Sequence, residues 1–558
     1  MNIEKTYRLA IAGVLASGLA CSSSSTLNTG AGGASGAGGV HGSGGSSASG
    51  GSQGQGGSQG SGGATASGGK PGEGGANGTG GSQATGGSQA AGGRVADAGP
   101  AGSGGRTPTD GPTGSGGRSS PDGGPSPGAG GTGGTASTTP YVGTKTPGAA
   151  QTGDITIDPG KLYQVVDGFG LADVWQGSSS TAMQTLLWDP VDGIGLTLLR
   201  IGIESVSGKS VLMGNAGVAD GKACFKFSGK DCKIWAAPWS PPAAMKNNNN
   251  VNGTGNNTNL AGTTDTLKTA SYDAWATLLA SFPAYYKAQG GPDLFAISAQ
   301  NEPDWNPNYE ACCYDKTQMV NFINVLGPKL AALDPPLKVL AAEPDNWSNL
   351  WGGDSYGPAI IADSKANSYV SIIATHDYGS TSAGTYARPT PPANNTHHLW
   401  ETECTPGDTG PITIATMIYA AFSTGGMNGW HYWWTQAFIP NASSPPAQYY
   451  ALGNFSKFVR PGFYRVDVSG AAKASGSVPL VIPFTNVSDG TVAIVVVNGG
   501  NAAQVSFFVA GTGWPASVTP YVTTSSSKLA AGTPISVTAG RFSASLEAKS
   551  VTTFVGKP

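Results

Sequence analysis

The sequence predicts an α/β protein: a (β/α)8 barrel joined to an all-β sandwich and preceded by a leader and a glycine/serine-rich linker. Three observations predict it. Low complexity is confined to the region before residue 153, eight short apolar runs then alternate with helix-compatible stretches, and the pattern turns to β-runs alone after residue 460. The 558 residues leave room for two or three domains, but 89 glycines and a charged fraction of 11% mark the chain as unevenly globular.

At the start, Lys5 and Arg8 precede an apolar run over 9–20, too short to span a bilayer as a helix and suited to a signal-peptide core. Residues 1–21 therefore read as a signal peptide, and the protein as exported from a bacterial cell to its exterior or its surface. Cys21 follows Gly18-Leu19-Ala20 and opens a serine tract, similar to a lipoprotein signal whose cysteine carries a lipid and anchors the chain in the outer membrane. Residues 22–152 hold almost no large apolar side chains and cannot offset chain entropy by burial, so they read as a disordered tether.

Residues 153–460 are read as the barrel, with strands at 164–168, 197–203, 233–237, 294–298, 338–342, 371–375, 398–402 and 429–433. Helices are expected between them, such as 272–289 and 317–333, the second apolar at Met319, Phe322, Ile323 and Leu326 on one face. Eight such units make a TIM barrel. After a last helix at 449–458, residues 461–558 read as the sandwich, with strands at 492–497, 505–509, 517–523, 535–538 and 551–555.

Net charge −3 and pI ≈ 6.0 leave no basic surface for a phosphate backbone, so nucleic acid is excluded as a partner and a neutral polar polymer fits. The five histidines, at 41, 376, 397, 398 and 431, show no HExxH spacing and there is no CxxC pair, so neither a metal nor a cofactor is expected. In an oxidising compartment Cys224 and Cys232 would close a short loop, and Cys404 would pair with Cys312 or Cys313.

A barrel assembles its active site past the C-terminal ends of its strands. Three carboxylates stand there: Glu302 in AISAQNEPDW, Glu343 after VLAA, and Glu403 in HHLWETEC. Cleaving a glycosidic bond needs one carboxylic acid to protonate the leaving oxygen and one carboxylate on the other side of the anomeric carbon, a pairing Glu302 and Glu403 satisfy from opposite sides of the barrel mouth. Glu401, two residues from Glu403, points the same way in an ideal strand but one layer deeper. Glu343 is the alternative acid.

Several motifs together make the chain resemble glycoside hydrolase family 30, and within it the bacterial endo-xylanases. They are VVDGFG (165–170), LLRIGI (198–203), APWSPPAAMKNNNNVNG (237–253), AISAQNEPDW (296–305), LWETE (399–403), YWW (432–434) and FSKFVRPGFYRVDV (455–468). The resemblance implies a retaining β-glycosidase with Glu302 as acid/base, Glu403 as nucleophile, Asn301 at the sugar 2-hydroxyl and Arg200 holding Glu403 ionised. It implies aromatic subsite walls at Trp239, Trp305, Tyr378 and Trp434.

The chain departs from that pattern after the eighth strand. Glucuronoxylan-specific members carry an arginine there that clamps a uronate, whereas here the run is Trp434-Thr435-Gln436-Ala437-Phe438, with no arginine until Arg460. Glu401 and the first loop, 170–173, are further departures. The expectation is a monomeric endo-β-1,4-xylanase that does not depend on glucuronate side groups. The alternatives are a β-1,6-glucanase, a β-1,6-galactanase or an exo-acting xylosidase and, from another class, a non-catalytic glycan-binding protein of the cell surface.

Overall fold

The computed structural model describes residues 139–214, 216–256, 263–378, 391–471 and 479–558. The leader, Cys21 and the tether as far as residue 138 lie outside them.

The first ten strands are β1 (Ile155–Val165), β2 (Gly168–Asp173), β3 (Leu198–Val206), β4 (Lys209–Met213), β5 (Lys233–Pro238), β6 (Ala296–Ser298), β7 (Lys338–Ala342), β8 (Val370–His376), β9 (His398–Glu403) and β10 (Gly429–Tyr432). Eight of them close a parallel barrel in the order β2-β10-β9-β8-β7-β6-β5-β3, with β3 returning to β2. Side chains alternate across each strand. Leu198, Trp235, Ala296, Leu340, Ile372 and Trp400 fill the interior, while Leu199, Ile201, Ile234, Ile297, Val339 and Leu399 join the larger core under the helices. A helix at Tyr272–Ala288 and another at Lys316–Ala331 sit where their apolar faces required, and Met319, Phe322, Ile323 and Leu326 are fully buried.

Seven barrel strands fall where expected and the first does not. The run at 164–168 straddles the last residues of β1 and the first of β2, and the barrel strand is β2, four residues on. Its sequence GFGLAD has low β-propensity because of close packing: a Cβ on Gly170 would lie 2.1 Å from the Leu198 carbonyl oxygen. The added strand β4 was also unforeseen. It pairs antiparallel with β3 across Ser207-Gly208, both at positive φ, the geometry of a two-residue hairpin loop.

The remaining strands are β11 (Tyr464–Ser469), β12 (Leu480–Thr485), β13 (Val492–Asn498), β14 (Ala503–Val509), β15 (Ser517–Thr523), β16 (Ala530–Ala531), β17 (Ile535–Ser536), β18 (Arg541–Leu546) and β19 (Ser550–Gly556). Together with β1 they build a ten-stranded sheet in the order β16-β15-β19-β13-β12-β11-β1-β14-β18, with β17 on β15. The boundary drawn at residue 153 is thereby corrected. β1 pairs with β11 and β14, burying Ile155 and Ile157 in the β-domain core, so this domain is made from both ends of the barrel segment. The tether boundary at 152 also moves. Lys145 N donates to Thr512 O at 3.1 Å and its Nζ to Trp514 O at 2.6 Å, placing residues before 153 on the same domain.

The two domains share packing. On β13, Ile494 and Val496 face the β core while Ala493, Val495 and Val497 face the barrel's core. Asn454, on the helix Ala447–Ser456, donates to Tyr521 O at 2.9 Å and to Thr553 Oγ1 at 3.0 Å.

Cys224 and Cys232 form a disulfide across a sequence separation of 8. Replacing both by serine is expected to lower the unfolding free energy by about 2.5 kcal/mol, read as a lower denaturant midpoint; an unchanged midpoint contradicts this. The expected bond from Cys404 to Cys312 or Cys313 is not formed, and all three are buried thiols. Cys404, the residue after β9, lies under the helices with its sulfur 3.7 Å from Met417 Sδ, whereas Cys313 lies beside the Trp305 carbonyl in the loop after β6.

Candidate active site

The site is built upward from the barrel interior. Above Trp235 and Trp400, whose rings pack around His431, stands the Arg200 guanidinium, fully buried. Arg200 Nη1 donates to Glu403 Oε2, and Nη2 donates to Asn301 Oδ1 and lies 3.1 Å from Glu343 Oε1. Its planar face is enclosed by Trp239, Trp235 and Trp433 at 4.8, 5.2 and 5.7 Å. One cation therefore organises three site residues from β6, β7 and β9.

A second cation faces it. His376, at the end of β8, has Nδ1 at 3.1 Å from Glu302 Oε1 and Nε2 at 3.5 Å from Glu343 Oε1 and 3.7 Å from Glu403 Oε2. Burial opposes charge on this ring, but the carboxylates of Glu403, Glu302 and Glu343 outweigh it and push the imidazole up to about 10. His376 is thus an imidazolium at neutral pH. Sequence reasoning missed it, because the residue belongs to no spacing motif and only the strand end, ATHDY, marks its place.

Glu302 and Glu403 bring carboxylate oxygens within 4.8 Å of each other and of a His376 ring nitrogen. That approach belongs to the narrow separation of about 5 to 5.5 Å used by retaining enzymes, and falls short of the 6.5 Å or more that leaves room for an attacking water. Glu302 sits at φ 43, a left-handed conformation rare for its type, fastened by Glu302 N to Glu343 O at 3.0 Å and Trp305 N to Glu302 O at 3.1 Å.

Glu403 has both oxygens engaged by donors, Oε2 by Arg200 and Oε1 by Tyr378 Oη at 2.7 Å. Burial pushes its carboxyl up; His376, Arg200 and Tyr378 pull the other way, and Glu302 adds to the rise, so the carboxyl lies above its ordinary range. The expected pull of Arg200 is present, and burial outweighs it. Glu343 is also fully buried, but Arg200, His376 and Ser298 Oγ hold it below the usual carboxylate range. It bridges the two cations.

Glu401 does not share the direction of Glu403. A bulge at Thr402 lets His376 pair with Glu403 while Thr375 pairs with Glu401, which reverses the alternation. The Glu401 carboxylate accordingly gathers with Asp377 and Cys404, away from the cleft.

The expected aromatic walls fall into two groups. Tyr378, Trp305 and Trp434 are half-buried at the mouth, and Trp434 Nε1 donates to Val174 O at 2.7 Å. Trp239 is only 2% exposed and backs Arg200, with the Trp175 ring tilted against it at 5.0 Å. Trp175 and Tyr309, whose hydroxyl feels both Glu302 and Glu403, were not foreseen. The loop carrying Trp239 is held by Lys246, whose buried Nζ donates to the carbonyls of Val251, Asn252 and Ala311 at 3.1, 3.3 and 2.5 Å. The donor atoms of Glu302, His376 and Glu403 could converge on a metal ion, but Arg200 and the imidazolium already compensate the carboxylates.

Comparison with known proteins agrees with this geometry. The family model described as the glycosyl hydrolase family 30 TIM-barrel domain matches residues 222–409. The glucuronoxylanase XynC of Bacillus subtilis is 28% identical over 435 residues, covering 73% of this chain and 94% of that protein. An endo-1,6-β-D-glucanase of Aspergillus fumigatus is 25% identical, covering 66% and 86%. Among solved structures, the family 30 subfamily 8 xylanase Xyn30A of Clostridium acetobutylicum is 30% identical with a TM-score of 0.61, covering 73% of this chain and 100% of that one. The chain is a glycosidase of β-glycans and belongs to glycoside hydrolase family 30.

Proposed function

We propose that the protein is a retaining endo-β-1,4-xylanase that does not require glucuronate side groups, with Glu302 as acid/base and Glu403 as nucleophile. The observation that carries the catalytic part is the close approach of Glu302 to a Glu403 whose two oxygens accept from Arg200 and Tyr378. Two cations, Arg200 and His376, balance two of the three carboxylates. Glu403, with charge-assisted bonds on both oxygens, is suited to be an anion. Glu302 then gives its proton to the glycosidic oxygen as Glu403 attacks the anomeric carbon and the leaving chain departs. In the second step Glu302 takes a proton from water, which displaces Glu403 and regenerates both groups with the configuration retained. Asn301, its Oδ1 turned to Arg200, has its amide N–H groups left to meet a sugar hydroxyl.

The substrate reading rests on the turn after β10. Thr435 is tied to Asp173 and to Ala172 O, Phe438 is buried, and Gln436 and Ala437 are exposed, so the turn offers hydrogen bonding and no cation. The similarity to the two named xylanases supports xylan as substrate, and the similarity to the A. fumigatus endo-1,6-β-D-glucanase supports a β-1,6-glucan as the second reading. Product profiling on glucuronoxylan, arabinoxylan, linear xylan and β-1,6-glucan tests it. Linear xylan should be cut to a series of short oligomers at a rate within about tenfold of glucuronoxylan, a difference of at most 1.4 kcal/mol. A single regular series of uronate-bearing products, with linear xylan spared, would overturn it.

A further inference from the structure

A buried carboxyl pair stands directly behind Glu302. Asp304, two residues on, and Asp345, two residues past Glu343, come from the loops after β6 and β7. One amide group joins them: Asn349 Nδ2 donates to Asp304 Oδ2 at 2.7 Å and to Asp345 Oδ1 at 3.1 Å. Asp345 N donates to Asp304 Oδ1 at 3.0 Å, and Asn346 Nδ2 donates to Asp345 Oδ1. The turn they close reaches the catalytic residues through the backbone, since Tyr378 N donates to Asp345 O at 3.1 Å, His376 N to Pro344 O at 2.9 Å and Glu302 N to Glu343 O at 3.0 Å. No lysine or arginine is bonded to either aspartate among the described residues.

We propose that Asp304 and Asp345 share one proton, carry a single negative charge between them, and by that charge set the position of the alkaline limb of the enzyme's pH–rate profile. They are positioning residues, and the inference rests on the reading of Glu302 as the acid/base. Two carboxylates bridged by one amide in a buried turn cannot both stay ionised at low cost, so one keeps its proton and donates to the other. Burial, Asp304 and then Glu302 push Asp345 up to about 9, which keeps the shared proton through neutral pH.

Around the pair, Asp354 and Asp315 act together with Asp304 on Tyr356. Tyr356, from the helix Tyr356–Ala362, and Cys313, from the loop before Lys316–Ala331, are both raised, chiefly by burial, and stay neutral. His376 acts on Asp345 as a cation. An anion here and an ionised Glu302 repel one another, the interaction by which Glu302 acts on Asp345.

Asparagine reproduces the shape and the donor of a protonated aspartic acid, which makes the test sharp. Asp304→Asn and Asp345→Asn each leave one carboxylate and one donor, and both enzymes should keep the alkaline limb of kcat/KM where the wild type has it. The double variant has no charge, and its limb should move down by about half a pH unit or more. If each single variant shifts the limb, both aspartates were ionised and the sharing is refuted. If the double variant folds and leaves the limb in place, the pair is only a structural turn. Should the double variant not fold, infrared spectra at neutral pH decide: either single replacement must remove one protonated-carboxyl band, and persistence of that band overturns the proposal. Glu302→Gln run in parallel keeps the failures apart. A Glu302→Gln enzyme with undiminished hydrolysis sinks the acid/base reading itself, whereas its loss alongside an unmoved limb in the double variant sinks only the present inference.

Discussion

Replacing Glu403 with alanine is expected to lower kcat on polysaccharide by about 10⁴-fold or more, with KM changed far less. The size follows from the role: without Glu403 no covalent intermediate forms, and binding by the aromatic walls survives. The same substitution leaves a space beside Arg200 Nη1 and Tyr378 Oη, both donors with their acceptor removed. A small anion such as azide should enter it and restore turnover of an activated aryl glycoside, giving a glycosyl azide of inverted configuration. Glu302→Ala should respond differently, because azide then attacks the intermediate in place of activated water and the product azide keeps the original configuration. Opposite configurations from the two variants distinguish nucleophile from acid/base; identical ones would reverse or void the assignment.

Arg200→Met is expected to abolish activity and to lower stability by about 3 to 5 kcal/mol. Arg200 is fully buried and neutralises Glu343 and Glu403, so its loss leaves two carboxylates in a dry site with only His376 as counter-charge. The penalty comes from those abandoned charges more than from the lost contacts. Adding Glu343→Gln removes one of them, and the double variant should recover part of the stability with none of the activity. Equal midpoints for Arg200→Met and the wild type in denaturant would show that the guanidinium is not the keystone of the site.

Most of the barrel was legible because its strands are continuous apolar runs, buried on both faces, that end in polar residues. Glu302 and Glu403 could be read from those ends. Three features could not. β1 and β2 compete for the same stretch, and pattern alone cannot tell that 155–165 pairs with a strand 300 residues away. The bulge at Thr402, which turns Glu401 from a second candidate into a residue behind the wall, has no sequence signal of its own. The charge on His376 exists only because β6, β7 and β9 bring three carboxylates to it. Cys404 illustrates the same limit from the other side: a plausible disulfide partner by count, it lies just past β9 with its sulfur against Met417.

The proposed mechanism stands on a covalent bond between Glu403 and the sugar. A 2-deoxy-2-fluoro xylobioside with a good leaving group forms its intermediate quickly and hydrolyses it slowly, so the labelled enzyme can be digested and its peptides weighed. One label per chain is expected, on the peptide holding LWETE and fragmenting to Glu403. A label on Glu302, Glu343 or Glu401, or steady release of product with no label at all, would contradict it.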